Sequence, residues 1–204
     1  MHMIEIYASV LIALITTLFG PLAVAWIRRR VAKKNKDSLI THIIELEKVD
    51  TELEEILNHL NADRVWVTQL HNGGHFLHSN KSMKKFSVMY EVTAPGVSTI
   101  ASTLTNIPMT LYSALFRELV LNKKVIVQDT LAANNTYGLN NIAASIGTIS
   151  IFLVSMFDFG TDHFMGMIAV DYLEETQLTC EQLDYLHSKA EKISGYLSAK
   201  YKRQ

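Results

Sequence analysis

Residues 148–172 read TISIFLVSMFDFGTDHFMGMIAVDY, two apolar stretches separated by a short polar segment. The first stretch, 148–157, predicts a long strand, and the second, 165–172, predicts another. Residues 158–162 (Asp-Phe-Gly-Thr-Asp) are typical of a turn, so the two strands should form an antiparallel hairpin. Because both strands are almost continuously hydrophobic, we expect them at the centre of a sheet that is covered on both faces.

A capped helix follows the hairpin. Thr179-Cys-Glu-Gln182 matches a capping box, in which residues three apart satisfy each other's backbone amides. The apolar residues after it repeat at heptad spacing and predict one buried face: Leu183, Leu186, Ala190, Ile193 and Leu197. We expect this helix to lie beside the helix predicted over residues 37–61.

The helix at residues 37–61 has its own apolar seam, with Ser38 as a plausible N-cap. Its seam residues alternate at spacings of three and four: Leu39, His42, Leu46, Val49, Leu53, Ile56 and Leu60. Two interpretations fit this pattern. The seam either pairs two chains as a parallel coiled coil or packs the helix onto its own domain.

Between these helices the apolar period is two, which predicts strands over residues 64–71 and 85–92, with Asn72-Gly73-Gly74 opening a loop. An amphipathic helix after Pro108, a short strand at 125–128, and an Asn-rich loop leading to a helix at 142–146 follow. The order predicts an α+β fold. Strands from both ends of the chain would share one antiparallel sheet, and the terminal helices would pair on one of its faces.

The segment from Ala144 to Val154, the turn, the strand Phe164-Met-Gly-Met-Ile-Ala-Val-Asp171 and the Thr179 capping box resemble the C-terminal half of a GAF domain. The resemblance extends over residues 63–201 in topology and is specific over the last sixty. It implies a GAF/PAS-type sheet, a sensing or dimerisation role, and a pocket opposite the terminal helices, roofed by the middle helix and loop. The family's cyclic-nucleotide signature is absent. Cys180 opens the last helix, which is not a position that could hold a bilin.

The same resemblance implies which residues bind a small-molecule ligand of unknown identity. A pocket of this kind is mostly apolar with a few placed polar groups. Aromatic residues on the elements that roof it are the candidates for its wall, and polar residues on the strands would orient the ligand. The candidate residues are Gln69, His71, Phe86, Tyr90, Tyr112 and Tyr137.

Three histidines, His71, His75 and His78, lie four and three residues apart and could together ligate a zinc ion. The competing interpretation is a polar surface loop. Residues 72–74 lack the lysine and hydroxyl of a phosphate loop, and Ser145 lacks the preceding glycine of a nucleophile elbow. We therefore expect a protein that is not an enzyme.

The N-terminal part of the chain predicts a membrane anchor. Residues 6–27 form a predominantly apolar run of 22 residues without a charge, and a helix of this length, roughly 33 Å, is enough to cross a bilayer core of about 30 Å. Its C-terminal flank is basic, with Arg28, Arg29, Arg30, Lys33, Lys34 and Lys36. The positive-inside rule then predicts a single-pass protein of the inner (plasma) membrane, with its N-terminus outside and its C-terminal domain in the cytoplasm. The predicted organisation is an anchor with its flank (1–36), an amphipathic helix (37–61) and a GAF-like domain (62–204).

Charge and layout bear on two further classes of function. From Arg28 onward acidic and basic residues balance, which argues against a nucleic-acid surface. The layout, and residues 149–197 in particular, also resemble the single-span holins of large tailed phages, which permeabilise membranes. Those holins place the soluble domain outside the cytoplasm, whereas the basic flank here favours the inside. A membrane-lysis protein is therefore the alternative to a sensor.

Overall fold

The computed structural model describes residues 46–75, 82–132, 137–158 and 161–198, together with residues 21, 24, 26, 40, 43 and 44. The chain divides into two compact units, Met1–Leu46 and Glu47–Gln204. All six residues of the basic flank, and all but three residues of the apolar run, lie outside the described residues. Within the described part, no helix has both the length and the apolar character that a membrane crossing requires.

The second unit is an α+β domain with one six-stranded antiparallel sheet in the order β3-β2-β1-β6-β5-β4. The strands are β1 (Arg64–His75), β2 (Ser82–Thr93), β3 (Ile107–Pro108), β4 (Lys124–Val127), β5 (Ser150–Phe157) and β6 (Phe164–Tyr172). The helices are α1 (46–60 in the described part), a 3₁₀ turn (Met109–Tyr112), α2 (Ser113–Asn122), α3 (Asn140–Ile146) and α4 (Cys180–Ser198). The predicted hairpin β5–β6 is confirmed, with β6 at the centre of the sheet and β5 next to the edge strand β4. Strand β6 also pairs with β1, which joins the two ends of the domain.

One face of the sheet is covered by α1 and α4. Their apolar stripes meet the side chains of β1, β5 and β6 in a single buried cluster. Across the outer edge of the helix pair, Lys189 and Lys192 of α4 both contact the buried carboxylate of Glu52 on α1. Thr179 and Gln182 exchange the two hydrogen bonds of the predicted capping box, at 2.9 and 3.2 Å. The predicted pairing of the terminal helices is therefore confirmed.

The packing of α1 decides between the two interpretations of its seam. Within the domain, Val49, Leu53, Ile56 and Leu60 are buried against α4 and the sheet. The hypothesis that these four residues form a seam between two chains is therefore wrong, because their apolar surface is already covered inside one chain. Leu39 and His42, at the start of the predicted seam, lie outside the described residues.

We predict that Ile56→Val lowers the free energy of unfolding by about 1 kcal/mol, since one buried methylene is lost. The loss should not depend on protein concentration, because Ile56 packs within its own chain. Chemical denaturation of the full chain in mild detergent at several concentrations measures both quantities. Ile126→Val, on the partly exposed edge strand β4, is the matched control and should change little. A loss that grows on dilution would instead assign Ile56 to an interface between chains.

The opposite face carries a second core under the 3₁₀ turn, α2, α3 and the segment 97–104. Trp66 of β1, Phe86 of β2 and Met167 of β6 contribute from the sheet, and Leu115, Phe116 and Leu119 contribute from α2. The sheet therefore has apolar cover on both sides, as the continuous hydrophobicity of β5 and β6 predicts.

A β-bulge in β2 changes which face its residues occupy. Val67 pairs with Tyr90 but Thr68 pairs with Val88, so Met89 is an extra residue in β2 and is exposed. An extra residue reverses the alternation of side chains beyond it. Accordingly Phe86 and Val88 join the core under α2 and α3, whereas Tyr90 packs against the core under α1 and α4.

The predicted end of β1 was wrong, and β3 was not predicted. The strand β1 continues through residues 72–74 to His75, where we expected a loop, and its pairing with β2 is irregular between Asn72 and His75. The segment that contains Gly73 and Gly74 has no alternation of apolar residues, so the sequence does not indicate a strand there. The strand β3, only two residues long, was not predicted because no periodicity can show in so short a segment.

Candidate functional site

A cavity lies between the sheet and the cover formed by α2, α3, the 3₁₀ turn and the segment 97–104. Its volume is about 30 Å³, which is room for roughly two water molecules. The wall is almost entirely apolar and includes Trp66, Phe86, Tyr112 and Leu139, with Ile142, Ala143 and Ile146 contributed by α3. Among the described residues of the wall, only Thr130, Thr148 and Tyr112 carry hydroxyl groups. The cavity is on the face opposite α1 and α4, where the GAF resemblance placed a pocket.

Three charged side chains form a buried row across β2, β1 and β6 at one end of this cavity, which we call the charged row: Glu91, Arg64 and Asp171. Arg64 is 1 % exposed and Asp171 is completely buried. The Arg64 guanidinium donates to Asp171 Oδ2 over 3.0 Å, and its Nε lies 3.7 Å from Glu91 Oε1. The row therefore places one formal positive and two formal negative charges in the interior.

The charged row also holds the two segments that cover the cavity. On one side Glu91 accepts hydrogen bonds from the backbone amides of Ile100 and Ala101, at 2.7 and 2.9 Å. On the other side Arg64 donates to the carbonyl of Ile146, the last residue of α3, over 3.5 Å. Thr148 Oγ1 donates to Asp171 over 3.1 Å. Through these hydrogen bonds, the charged row attaches both covers to the sheet.

Asp171 is incompletely satisfied. Its Oδ2 accepts from Arg64, Thr148 and the Trp66 indole, the last over 3.2 Å. Its Oδ1 and the Nε of Arg64 make no hydrogen bond within the described residues. Burial raises the pKa of Asp171 to about 6, although Arg64 and the hydrogen bonds from Trp66 and Thr148 act in the opposite direction. The carboxyl group is therefore poised to take up a proton close to neutral pH.

We predict a pH dependence of stability that Asp171→Asn abolishes. The pKa of Asp171 is about 6 in the folded chain against an ordinary 3.8, so the folded state takes up the proton first as the pH falls. At about 1.4 kcal/mol per pH unit, Asp171 should add roughly 2.4 kcal/mol to the free energy of unfolding between pH 7 and pH 4. This stability is lost again as the pH rises through 6.

Denaturation of the wild type and Asp171→Asn at each pH isolates this contribution. Subtracting the two curves cancels the effect of every other titrating group. A difference between them that stays constant from pH 4 to pH 7 would contradict a raised pKa at Asp171.

The structure brings together some of the predicted ligand-binding residues and separates others. Phe86 and Tyr112 line the cavity, and Tyr137 packs against the same core. Tyr90 lies on the other face of the sheet, so the expectation that it shares a pocket with Phe86 is wrong. The physical reason is the bulge at Met89, which reverses the alternation of β2 and is invisible in the apolar pattern.

Gln69 and His71 also lie away from the cavity. Gln69 borders a separate open cleft of about 350 Å³, together with Leu70, Phe164 and Met165. His71 shares a hydrogen bond of 2.9 Å between its Nε2 and the Ser87 Oγ. Neither residue is part of the cavity wall, so the prediction of a shared pocket is corrected for both. Both follow Thr68 in β1, beyond the part of the strand that the cavity covers.

The structure gives little support to the hypothesis that His71, His75 and His78 bind a zinc ion. His75 is exposed at the end of β1, and His78 lies outside the described residues. Among the residues that the structure describes, no three His, Cys, Asp or Glu side chains gather closely enough to hold a metal ion.

Neither Arg64 nor Glu91 was singled out from the sequence, and Asp171 was included only as the end of a strand in the GAF resemblance. The sequence does contain a signal for these three residues. Each of the three is a charged residue within or at the end of an apolar strand, and such residues are rarely buried unless they are paired. What the sequence did not show is that the register of β1 with β2 and β6 aligns them.

Comparisons with known proteins agree with this architecture. No family model and no curated protein sequence matches the chain. Among solved structures, the phycocyanobilin-bound GAF domain of a cyanobacterial phytochrome superposes with a TM-score of 0.63 at 14 % identity, covering 86 % of this chain and 94 % of that one. The PixJ GAF domain of Thermosynechococcus elongatus gives 0.61 at 16 % identity, covering 79 % and 89 %.

The third GAF domain of Slr1393 from Synechocystis sp. PCC6803, in its photoproduct state, gives a TM-score of 0.60 at 14 % identity, covering 77 % of this chain and 95 % of that one. All three are GAF domains of similar extent to the second unit. At these identities the similarity is one of fold. The domain of residues 47–204 therefore has a GAF-like α+β fold.

Proposed function

We propose that this protein is a membrane-anchored sensor module, without enzymatic activity, whose GAF-like domain binds a small and largely apolar molecule in the cavity under α3. One observation carries the proposal. The cavity lies beneath covers that are tied to the sheet by a buried and incompletely satisfied charged row. Buried ion pairs are costly to build, and an apolar core would close the same space without them.

The comparisons support a small-molecule ligand without identifying it. Two of the similar GAF domains are described as bound to phycocyanobilin and phycoerythrobilin. A bilin is not the ligand we propose for this chain. A cavity of about 30 Å³ is far below the roughly 300–1,000 Å³ typical of sites for larger ligands, and the single cysteine, Cys180, is exposed at the start of α4.

Binding would therefore have to move the cover. An occupant larger than two water molecules pushes against α3 and strains the hydrogen bond from Arg64 to the Ile146 carbonyl. At 3.5 Å, this is the longest of the hydrogen bonds that hold the covers to the charged row. When that hydrogen bond is lost, the side chains of Arg64 and Asp171 rearrange. This coupling between occupancy and the position of the cover is what a sensor requires, because a ligand shifts an equilibrium only through its different affinity for two states.

We predict that Ala143→Val abolishes ligand binding, because Ala143 is buried in the cavity wall and two added methyl groups fill the space. Thermal-shift screening of the full chain in detergent against small aromatic, heterocyclic and aliphatic compounds should yield at least one saturable stabilisation. Ala144→Val is the matched control on the exposed side of the same helix and should bind as the wild type does. Equal binding by both variants would place the ligand elsewhere.

The anchor is the second part of the proposal. Its support is the apolar run of residues 6–27 and its basic flank. Under this proposal the domain is cytoplasmic. A reporter fused after Gln204 that is active only in the cytoplasm should give signal, and one that is active only outside should not. The reverse pattern, with abrupt permeabilisation that requires residues 6–27, would support the holin alternative.

Self-association is the third part, and the packing of α1 restricts where it can occur. Residues 49–60 of the seam are committed to the domain core. The helical residues Ile40, Ile43 and Ile44 of the first unit are about half exposed, at a spacing that gives one apolar stripe. We propose a homodimer through this upstream stripe. Crosslinking of Ile43→Cys in a Cys180→Ser background should trap it.

A further inference from the structure

The outer side of α2 carries an apolar surface that the sensor proposal does not use. Ser113, Arg117, Val120 and Leu121 share one face of the helix at spacings of four, three and one. With Met109, Thr110 and Phe116, and with Ser82 and Lys84 from the start of β2, they line an open groove of about 690 Å³. Val120 is 46 % exposed and Leu121 is 64 % exposed. We call this surface the α2 patch.

The charge of the α2 patch is of one sign. Its lining contains Lys84 and Arg117 and no acidic residue. No carboxylate of the described residues lies within ion-pairing distance of either cation. Among the described residues, Lys84 donates only to the neutral side-chain amide of Asn72, over 2.9 Å. Two further lysines, Lys123 and Lys124, follow α2 directly and are exposed.

We propose that the α2 patch docks the domain onto the surface of an anionic lipid bilayer. Exposed apolar side chains between unpaired basic ones suit this surface, because the former enter the acyl boundary while the latter meet the headgroup phosphates. Each lysine or arginine near such a surface strengthens binding by about fivefold. A protein helix bound in this groove would benefit from the basic residues only if the helix were acidic. An anionic bilayer supplies negative charge in every orientation of the domain on its surface.

The inference rests on the proposed anchor, which gives the patch its bilayer. A domain that follows the basic flank in the chain lies on the same side of the membrane as the flank. Basic residues beside a span also favour anionic lipid on that side. The tether raises the local concentration, so that even a weak surface contact is populated.

The test uses the full chain, with Cys180→Ser, in nanodiscs of phosphatidylcholine alone or with phosphatidylserine. A fluorophore is attached at Thr110→Cys in the α2 patch, or at Ser188→Cys on the exposed side of α4 as a control. Lipids with headgroup nitroxides quench a probe that reaches the surface. We expect at least threefold stronger quenching at position 110 when phosphatidylserine is present, on the order of one basic contact, and no change at position 188.

Two variants separate a docked patch from chance proximity. The double variant Lys84→Glu/Arg117→Glu should remove the lipid-dependent quenching, and Leu121→Ser should weaken it. Leu131→Ser, at an exposed leucine outside the groove, should not. Circular dichroism verifies that each variant is folded. Quenching at position 110 that ignores phosphatidylserine or the double variant overturns the proposal and leaves the patch to a protein partner. Failure to enter the nanodisc refutes the anchor instead.

Discussion

Arg64→Met should cost about 3–5 kcal/mol of the free energy of unfolding at pH 7, the range found when one member of a buried ion pair is removed. Arg64 is the only cation in the charged row, and its loss leaves the buried carboxylates of Asp171 and Glu91 without their positive partner. Methionine fills most of the volume of the arginine stem, so the loss reports on charge more than on packing. The loss should be smaller below pH 6, where protonation of Asp171 removes one stranded charge.

Urea denaturation of the full chain in mild detergent measures this effect. Trp66 is buried and bonded to Asp171, and Trp26 is the only other tryptophan in the sequence, so a Trp26→Phe background makes the fluorescence specific to the domain. Arg117→Met, at an exposed arginine, is the matched control and should change stability by less than about 0.5 kcal/mol. Equal losses in the two variants would show that the charged row contributes nothing particular.

Gly166→Ala should be among the most damaging single substitutions in the chain, with an expected loss of 3 kcal/mol or more, at or above the usual cost of about 1–3 kcal/mol for overpacking. A Cβ atom at this position would lie 2.0 Å from the carbonyl oxygen of Thr68 and 2.9 Å from its carbonyl carbon. Both atoms are backbone of the neighbouring strand β1 and cannot rotate away. The β1–β6 pairing, which joins the two ends of the domain, would have to open.

The matched control is Gly195→Ala in α4, where an added methyl group meets nothing within 4 Å. A glycine inside a helix costs about 1 kcal/mol relative to alanine, so this variant should be slightly more stable than the wild type. The two alanine substitutions should therefore shift the urea midpoint in opposite directions. A Gly166→Ala protein as stable as the wild type would mean that β1 and β6 are farther apart than described here.

The contrast between Gly166 and Tyr90 shows what the sequence could predict. Gly166 lies in β6 (Phe164–Tyr172), whose formation and pairing with β5 were predicted from a continuous apolar stretch and a turn. The heptad spacing of Leu183, Leu186 and Ile193 likewise predicted the buried face of α4. These features are local and repeat along the chain, so a single segment carries enough information.

The candidate site depends on relations between distant segments. Arg64 and Asp171 are 107 positions apart, and only the register of β1 with β6 brings them together. Tyr90 changed faces because one unpaired residue, Met89, entered β2, and nothing in the local composition announces a bulge there. Gln69 and His71 were placed on the right strand but beyond the covered part of it. Phe86 and Tyr112 were predicted correctly as neighbours, because the GAF resemblance supplied the pairing of their elements.

An occupant of the cavity should displace the covers held by the charged row, and amide hydrogen exchange measures this displacement. The full chain in detergent is compared with and without the compound that stabilises it best in the thermal-shift screen. The account predicts faster exchange at residues 100–101 and 144–148, whose ties to the row are strained, and slower exchange in β5 and β6, because binding stabilises the folded domain. Exchange that changes only outside these segments, or a screen in which no compound stabilises the chain, would contradict it.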